Sequence, residues 1–335
     1  MSTNGQPPLL EVENLVVHYP VGRGIVGTLA RQERRRVHAV EGVTLRVAAG
    51  ELVALVGESG CGKTTTAQAV LRLVEPDQGS IRFAGTELAN LGRRELRPLR
   101  RRMQMVYQDP YESLDPRLRI RAAVEEPLLI HGVGASKQER LELVHDALSK
   151  AGLSPPELFL GRFPHELSGG QRQRVAIAAS LVVGPELLVA DEPVSMLDVS
   201  VRAGILHLLD ELRRGGLGIL MITHDLSTAA RFSDWIAVMY LGRIVEEGPA
   251  REIVENAQHP YTRALLSVVP RRDPRDRPER QILRGETPDA LRIPSGCRFH
   301  PRCPLAIEKC KQIDPVLERP AHGRSPAHHA ACIRV

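Results

Sequence analysis

Three stretches of this chain predict an α/β fold built on a parallel sheet. The first is ELVALVGESGCGKTTTAQ, Glu51 to Gln68. Its Leu52 to Val56 run is apolar without a helical period, as a buried strand is. The run leads into Gly57-Glu58-Ser59-Gly60-Cys61-Gly62-Lys63-Thr64, which fits G-x-x-x-x-G-K-[ST] without a mismatch, and a helix-compatible pattern follows from Thr65. The other two are Leu187 to Ala190 and Leu217 to Thr223, continuous apolar strands ending in Asp191-Glu192 and His224-Asp225. Strands that alternate with helices and end in polar residues make a parallel sheet with its site along the carboxyl edge.

The glycine loop specifies a phosphate site. Gly57, Gly60 and Gly62 let successive N–H groups, including those of Ser59 and Cys61, turn inward around an anion, and the helix behind adds the positive end of its dipole. Lys63 is expected to reach the β- and γ-phosphates, Thr64 to bind Mg²⁺ and Thr65 to continue the cradle. An ordinary glycine turn is a fair rival for a shorter pattern and a poor one for the whole match between strand and helix. The chain is therefore expected to bind a nucleoside triphosphate. Cys61 inside the cradle is expected to be reactive, since a helix N-terminus favours thiolate.

Composition narrows the class. A chain of 335 residues holds one main domain and a smaller one. A net charge of +5 and a pI near 9.1 fit a solvated arginine-rich surface better than nucleic-acid binding. No apolar run approaches the roughly 20 residues that span a bilayer. The stretch MSTNGQPPLLEVE has neither the basic nor the apolar region of a secretory signal, so a cytosolic location is expected. The five cysteines of a cytosolic chain suit metal binding or packing rather than disulfides.

Leu9 to Tyr19 alternates as an opening strand, and Val37 to Val47 reads as its return after a glycine- and arginine-containing loop, Pro20 to Arg36. Tyr19 could stack on a purine or simply pack in the strand. Gly79 to Gly85 is a turn and short strand, and Arg93 to Arg102 is one helix whose arginine face reads as solvated, with contact to an anionic inner leaflet the alternative. Met103 to Tyr107 is a strand delivering Gln108, and Pro116 to Lys150 is mostly helical with a break at Gly132-Val133-Gly134. Leu167-Ser168-Gly169-Gly170-Gln171-Arg172-Gln173-Arg174 opens a further helix, Val175 to Val183. Composition shifts after about Asn256, and Pro270 to Arg280 reads as a linker. Beyond it lie Cys297, Cys303, Cys310 and Cys332, in a segment with few apolar residues that needs a staple.

A nucleotide site needs more than a cradle. Asp191 ends its strand where a carboxylate can hold a Mg²⁺ shell, and Glu192 beside it can orient or deprotonate water. The P-loop, LSGGQ, D-E-P and the strand-terminal histidine together resemble the ATP-binding cassette (ABC) ATPase family, from Leu9 to about Asn256. That family's fold is a RecA-like core with an antiparallel β subdomain and a helical subdomain, here about 109–182. The resemblance implies that two cassettes pair head to tail, with Ser168, Gly169, Gly170 and Gln171 closing on ATP held by the other subunit. By position, Tyr19 looks like the A-loop aromatic, Gln108 the Q-loop glutamine and a Mg²⁺ contact, Glu192 the catalytic base and His224 the switch histidine. Ser195-Met196-Leu197-Asp198 resembles the D-loop, usually SALD, with methionine for alanine and Asp198 kept.

Tyr107-Gln108-Asp109-Pro110-Tyr111-Glu112-Ser113-Leu114-Asp115-Pro116, His259-Pro260-Tyr261-Thr262-Arg263-Ala264-Leu265-Leu266 and Gly296-Cys297-Arg298-Phe299-His300-Pro301-Arg302-Cys303 resemble the oligopeptide/dipeptide importer ATPases, most closely their F-type subunit. This extends the likeness to nearly the whole chain, 1–256 as the ATPase and 257–335 as a C-terminal extension. It implies a D-type homologous ATPase partner, two integral-membrane permeases, an extracytoplasmic peptide-binding protein, no nucleic acid, and a peripheral place on the cytoplasmic membrane face. Importers of nickel or glutathione are alternatives, as, further off, are soluble ABC ATPases of DNA repair, translation or iron–sulfur assembly.

The late cysteines are spaced C-x5-C-x6-C with a distant fourth, without the tight C-x2-C pairs usual in structural zinc sites. Four thiolates suit a [4Fe–4S] cluster, which the subfamily resemblance favours. Zinc on three cysteines and one of His300, His328 or His329 stays open, and so do four unrelated buried thiols. Because the P-loop, signature and switch residues precede the linker, loss of the cluster is expected to destabilise the tail and weaken assembly while leaving nucleotide binding by the isolated subunit nearly intact.

Overall fold

The computed structural model describes residues 7–21, 36–109, 113–269, 281, 283, 285–321 and 324–335. The loop expected around 22–35, residues 110–112 of the Q-loop stretch and the linker at 270–280 lie outside the described residues.

The chain opens with β1 (Leu10–Pro20) and β2 (Arg36–Val47), paired antiparallel. With β4 (Gln78–Phe83) and β5 (Thr86–Glu87) they form a four-stranded sheet of order β2-β1-β4-β5. Its apolar face, with Leu10, Val12, Leu15, Ile81 and Phe83 fully buried, packs against helix α1 (Lys63–Val70) and one side of the central sheet.

The central sheet holds seven strands. β3 (Leu52–Val56), β6 (Met103–Val106), β7 (Leu187–Asp191), β8 (Gly218–Thr223) and β9 (Trp235–Tyr240) run parallel. β10 (Arg243–Pro249) and the short β11 (His329–Ala330) add antiparallel on one side, giving β11-β10-β9-β3-β8-β7-β6. β3, β7 and β8 are buried along their full length, which explains why each reads as an unbroken apolar run.

The basic helix α2 (Arg93–Arg102) buries only Leu96. Not all of its arginines are merely solvated. Arg100 donates to the Leu71 and Arg72 carbonyls, and Arg102 forks onto Glu186 at 2.6 and 2.8 Å. Between β6 and β7 lie α3 (Ile120–His131), α4 (Lys137–Lys150), α5 (Glu157–Leu160) and α6 (Gly169–Leu181). Their inward residues, Ile120, Val124, Leu128, Val144, Leu148 and Val175, join the main core. α7 (Val199–Arg214), α8 (Leu226–Phe232), α9 (Ala250–Asn256) and α10 (Pro260–Ser267) follow.

The late segment is stitched into this core. Phe299 is 1 % exposed and sits in an aromatic cluster, 5.2 Å from the Tyr240 ring and 5.4 Å from that of Tyr261. Glu246, on β10 and wholly buried, accepts hydrogen bonds from the Gln258 and His259 backbone N–H groups at 2.5 and 3.1 Å and faces His328 Nε2 at 2.8 Å. Three stretches far apart in sequence thus meet on one buried carboxylate. His259 caps α10, its Nδ1 accepting the Tyr261 N–H at 3.1 Å, with Pro260 at the first helical position.

Candidate active site

The phosphate loop runs from β3 into α1. Gly62 has φ +107°, and a Cβ there would stand 2.1 Å from the Ala39 carbonyl oxygen, so both conformation and space require glycine. Lys63, 5 % exposed, donates from Nζ to the Gly57 and Glu58 carbonyls, 2.8 Å each. Its ammonium therefore lies inside the loop, where phosphate oxygens would meet it. Ser59 and Gly60 lie at the exposed tip, and Thr65 lies in the first turn of α1.

Cys61 departs from expectation. It is 1 % exposed and belongs to the core behind the loop, and burial pushes its thiol pKa up despite the nearby Lys63. Desolvation of the thiolate outweighs the helix dipole, so the reading of Cys61 as a reactive thiol is corrected. Its backbone N–H donates to the Glu58 carbonyl at 3.3 Å, within the turn of the loop.

Along the carboxyl edge, adjacent β6, β7 and β8 deliver Gln108, Asp191-Glu192 and His224. Gln108 Nε2 donates to Glu192 Oε2 at 3.2 Å, and His224 Nδ1 stands 3.2 Å from the same oxygen. Glu192 holds φ +44°, a left-handed conformation that costs about 1–3 kcal/mol in a non-glycine residue and recurs at functional sites. Asp191 is 3 % exposed, and among the described residues its Oδ1 has no hydrogen-bond partner. Burial pushes its carboxyl above the ordinary aspartate range, opposed by the Thr64 hydroxyl against it, reinforced by Glu192 and opposed again by Lys63. A buried, charge-disfavoured carboxylate with an empty lone pair beside a hydroxyl is the donor set a Mg²⁺ ion satisfies, so the residues fit that ion.

Of the other predicted residues, Ser168, Asp198 and Tyr19 are exposed, and Gly169, Gly170 and Gln171 are partly buried. Ser168 caps α6, its hydroxyl accepting the Gln171 N–H at 3.3 Å while Gln171 Oε1 accepts the Ser168 N–H at 3.0 Å. Tyr19, at the end of β1, is 37 % exposed. Asp198 caps α7 by position.

All four late cysteines are free and electrostatically coupled. Burial, resisted by the Phe299 N–H and reinforced by the other three cysteines, pushes Cys297 up to about 11. Cys303 and Cys332 are likewise raised by burial, each with a backbone hydrogen bond, from Leu305 and Arg334, on its sulfur. Among the described residues no three sulfurs lie within 4.8 Å of one another, and the only set of donors that does is His18, His38 and Glu41. Hydrogen bonding accounts for that set: His38 Nδ1 is 2.6 Å from Glu41 Oε1, His18 Nε2 meets the same oxygen, and Arg298 lies 3.6 Å from the other.

The late segment also reaches the nucleotide loop, through Glu58, a loop residue sequence reasoning passed over. Its N–H donates to the Tyr261 hydroxyl at 3.0 Å. Its carboxylate accepts Thr287 Oγ1 at 2.6 Å and Arg302 at 2.7 and 3.2 Å. The one available signal was GCRFHPRC itself, where charged residues alternate with cysteines around a single phenylalanine.

With this geometry, the fold and site define an ABC ATPase, and the comparisons agree. Residues 40–195 match the family described as ABC transporter, and 245–310 match the oligopeptide/dipeptide transporter C-terminal region. A dimeric bacterial ABC transporter cassette, MJ0796, superposes with a TM-score of 0.63 at 31 % identity, covering 72 % of this chain and 99 % of its own. The same cassette in a post-hydrolysis state bound to ADP and Pi gives 0.62 at 30 %, covering 72 % of this chain and 99 % of its own. A putative peptide import ATP-binding protein of Brucella ovis is 46 % identical over 98 % of both chains. The oligopeptide transport ATP-binding protein AppF of Bacillus subtilis is 42 % identical over 99 % of both. The chain belongs to the ATP-binding subunits of the oligopeptide/dipeptide ABC transporter family and is an ATPase. Among its described residues no helix is long and apolar enough to cross a membrane.

Proposed function

We propose that this subunit powers import of di- or oligopeptides. It would pair head to tail with a homologous D-type ATPase beneath two integral-membrane permeases supplied by an extracytoplasmic peptide-binding protein. Residues 1–256 form the ATPase and 257–335 the extension, held peripherally at the cytoplasmic face with no nucleic acid involved. The observation that carries the reading is the 245–310 match on a chain whose Gln108, Glu192 and His224 converge.

ATP would lie with its base against Tyr19 and its phosphates on the loop from Gly57 to Thr65. Lys63 would turn from the Gly57 and Glu58 carbonyls to the phosphate oxygens. Thr64, Asp191 and Gln108 would hold Mg²⁺, which neutralises phosphate charge when bound. Glu192 takes the proton of the attacking water, Gln108 and His224 fix its carboxylate, and Ser168, Gly169, Gly170 and Gln171 of each subunit, with Asp198, close on the other's nucleotide.

The late cysteines form a [4Fe–4S] site on this reading. Backbone N–H groups on the sulfurs of Cys297, Cys303 and Cys332 support it, since such hydrogen bonds stabilise thiolate. Zinc at about 2.3 Å from each sulfur needs its donors close together, and among the described residues no three of these sulfurs lie within 4.8 Å of one another. His300 and His328 are turned to the Cys297 carbonyl and to Glu246. The group would supply ligand bonds that hold the segment together.

Co-expression with candidate permeases and reconstitution with a binding protein tests the assignment. Peptide should stimulate ATP hydrolysis in the vesicles. Stimulation by nickel or glutathione alone would change the substrate class, and a chain never recovered with membranes would refute the importer reading. Anaerobically purified protein should absorb broadly near roughly 400 nm with about four irons per chain, bleached in Cys303→Ala. One zinc instead would replace the cluster, and neither metal would leave the thiols structural.

A further inference from the structure

The nucleotide loop is held from outside by the C-terminal segment, and the hold centres on Glu58. This residue follows Gly57 in the phosphate cradle, where an acidic side chain is a liability for binding a polyanion. Here its carboxylate is drawn off the cradle. Arg302 reaches it with both terminal nitrogens at 2.7 and 3.2 Å, and Thr287 Oγ1 donates at 2.6 Å while accepting from Arg302 at 3.2 Å. The pair is sheltered, with the Arg302 side chain 9 % and that of Glu58 27 % exposed. Burial alone would raise the Glu58 carboxyl, but the Arg302 and Thr287 hydrogen bonds outweigh it and hold the group below its usual range. The Glu58 backbone is fixed as well, by its N–H on Tyr261, a residue with no exposed surface. The Gly57 carbonyl, in the same planar peptide unit as that N–H, is one of the two oxygens holding Lys63 Nζ.

We propose that Arg302 is a positioning residue for ATP binding: its fork on Glu58 keeps a carboxylate out of the phosphate cradle and, with Tyr261, sets the loop that presents Lys63. The C-terminal extension is therefore part of the nucleotide site rather than an appendage. Arg302 immediately precedes Cys303, and its N–H bonds the Phe299 carbonyl at 3.0 Å, so the turn that carries the thiol also carries the clamp. The inference rests on the loop binding ATP and is independent of what the thiols hold.

The test is equilibrium binding of a fluorescent ATP analogue to the full chain, with and without Mg²⁺. Arg302→Met should weaken binding about tenfold or more, because a carboxylate stripped of its partner repels phosphate across a partly desolvated gap. Glu58→Gln alone, which removes the charge and keeps the side chain's shape, should weaken binding less than Arg302→Met does. Glu58→Gln combined with Arg302→Met should recover most of the loss, and Arg302→Lys should fall between, keeping the charge without the fork. A double variant as weak as Arg302→Met alone, at unchanged melting temperature, would overturn the electrostatic role, as would Arg302→Met binding like the parent. If Arg302→Met does not fold, Arg302→Lys and the double variant decide the matter by the same criteria. Loss of binding in Lys63→Ala with none of these effects would leave the ATP site standing and the clamp refuted.

Discussion

Replacing Glu192 with glutamine removes a proton acceptor while keeping shape. Glu192 Oε2 receives Gln108 Nε2 at 3.2 Å and faces His224 Nδ1 at 3.2 Å. A glutamine amide oxygen can still accept from Gln108, so the cluster should hold together and the left-handed backbone at this position is unaltered. What disappears is the carboxylate's basicity. A positioned general base contributes about 10²–10⁴ in rate, or about 3–5 kcal/mol of barrier. Glu192→Gln should lower single-turnover hydrolysis by that factor at saturating Mg-ATP while ATP affinity stays near the parent's. With hydrolysis blocked, ATP should hold two cassettes together, which light scattering with and without nucleotide would register. Hydrolysis within about tenfold of the parent would place the base elsewhere, with His224 the next candidate. A parallel loss of ATP affinity would refute the isosteric premise.

Two further outcomes follow from the buried late segment. Phe299→Ala empties a site walled by Tyr240, Tyr261 and His259, and should cost about 3–5 kcal/mol in denaturant unfolding; a loss under about 1 kcal/mol would mean that the segment does not pack as described. Burial depresses His259 to about 4, and its Nδ1 must stay unprotonated to accept the Tyr261 N–H. The unfolded chain takes up this proton at about pH 6.5, and the fold refuses it until about pH 4. Stability from this group is therefore whole above about pH 6.5 and falls by about 3 kcal/mol as the pH drops to 4. His259→Asn, which keeps a capping oxygen, should flatten that decline in melting temperature, and an unchanged slope would exclude His259 as its source.

The parts legible in the sequence are those whose cause is local. β3, β7 and β8 are apolar because both faces are covered, and Gly62 is glycine because of its own φ and one carbonyl. α2 was readable to its ends, since Arg93 and Arg102 bound a polar run between a glycine and a strand. β9 and β10 were not read as strands. Trp235 to Tyr240 resembles any short apolar segment, and β10 carries Glu246 and Glu247, charges a strand reading discounts unless a distant partner such as His328 is known. Cys61 was misjudged for a related reason: sequence gives its place at a helix N-terminus and not the core behind it.

The clamp lay furthest out of reach, because Glu58 and Arg302 are separated by 244 residues and each alone reads as a solvated charge. Seen together, GCRFHPRC divides its work residue by residue. Gly296, at φ +65°, lets the Cys310 carbonyl approach where a Cβ would stand 2.5 Å away. Arg298 donates to the Leu241 carbonyl at 2.6 Å between β9 and β10, and Phe299 fills the core. Arg302 takes the loop, while Cys297 and Cys303 face the remaining thiols. A motif that only pinned a tail would need the phenylalanine and the cysteines. Of the two arginines, Arg298 is a further anchor on the core and Arg302 alone ends on the phosphate loop, which is why the segment acts on ATP binding as well as on its own folding.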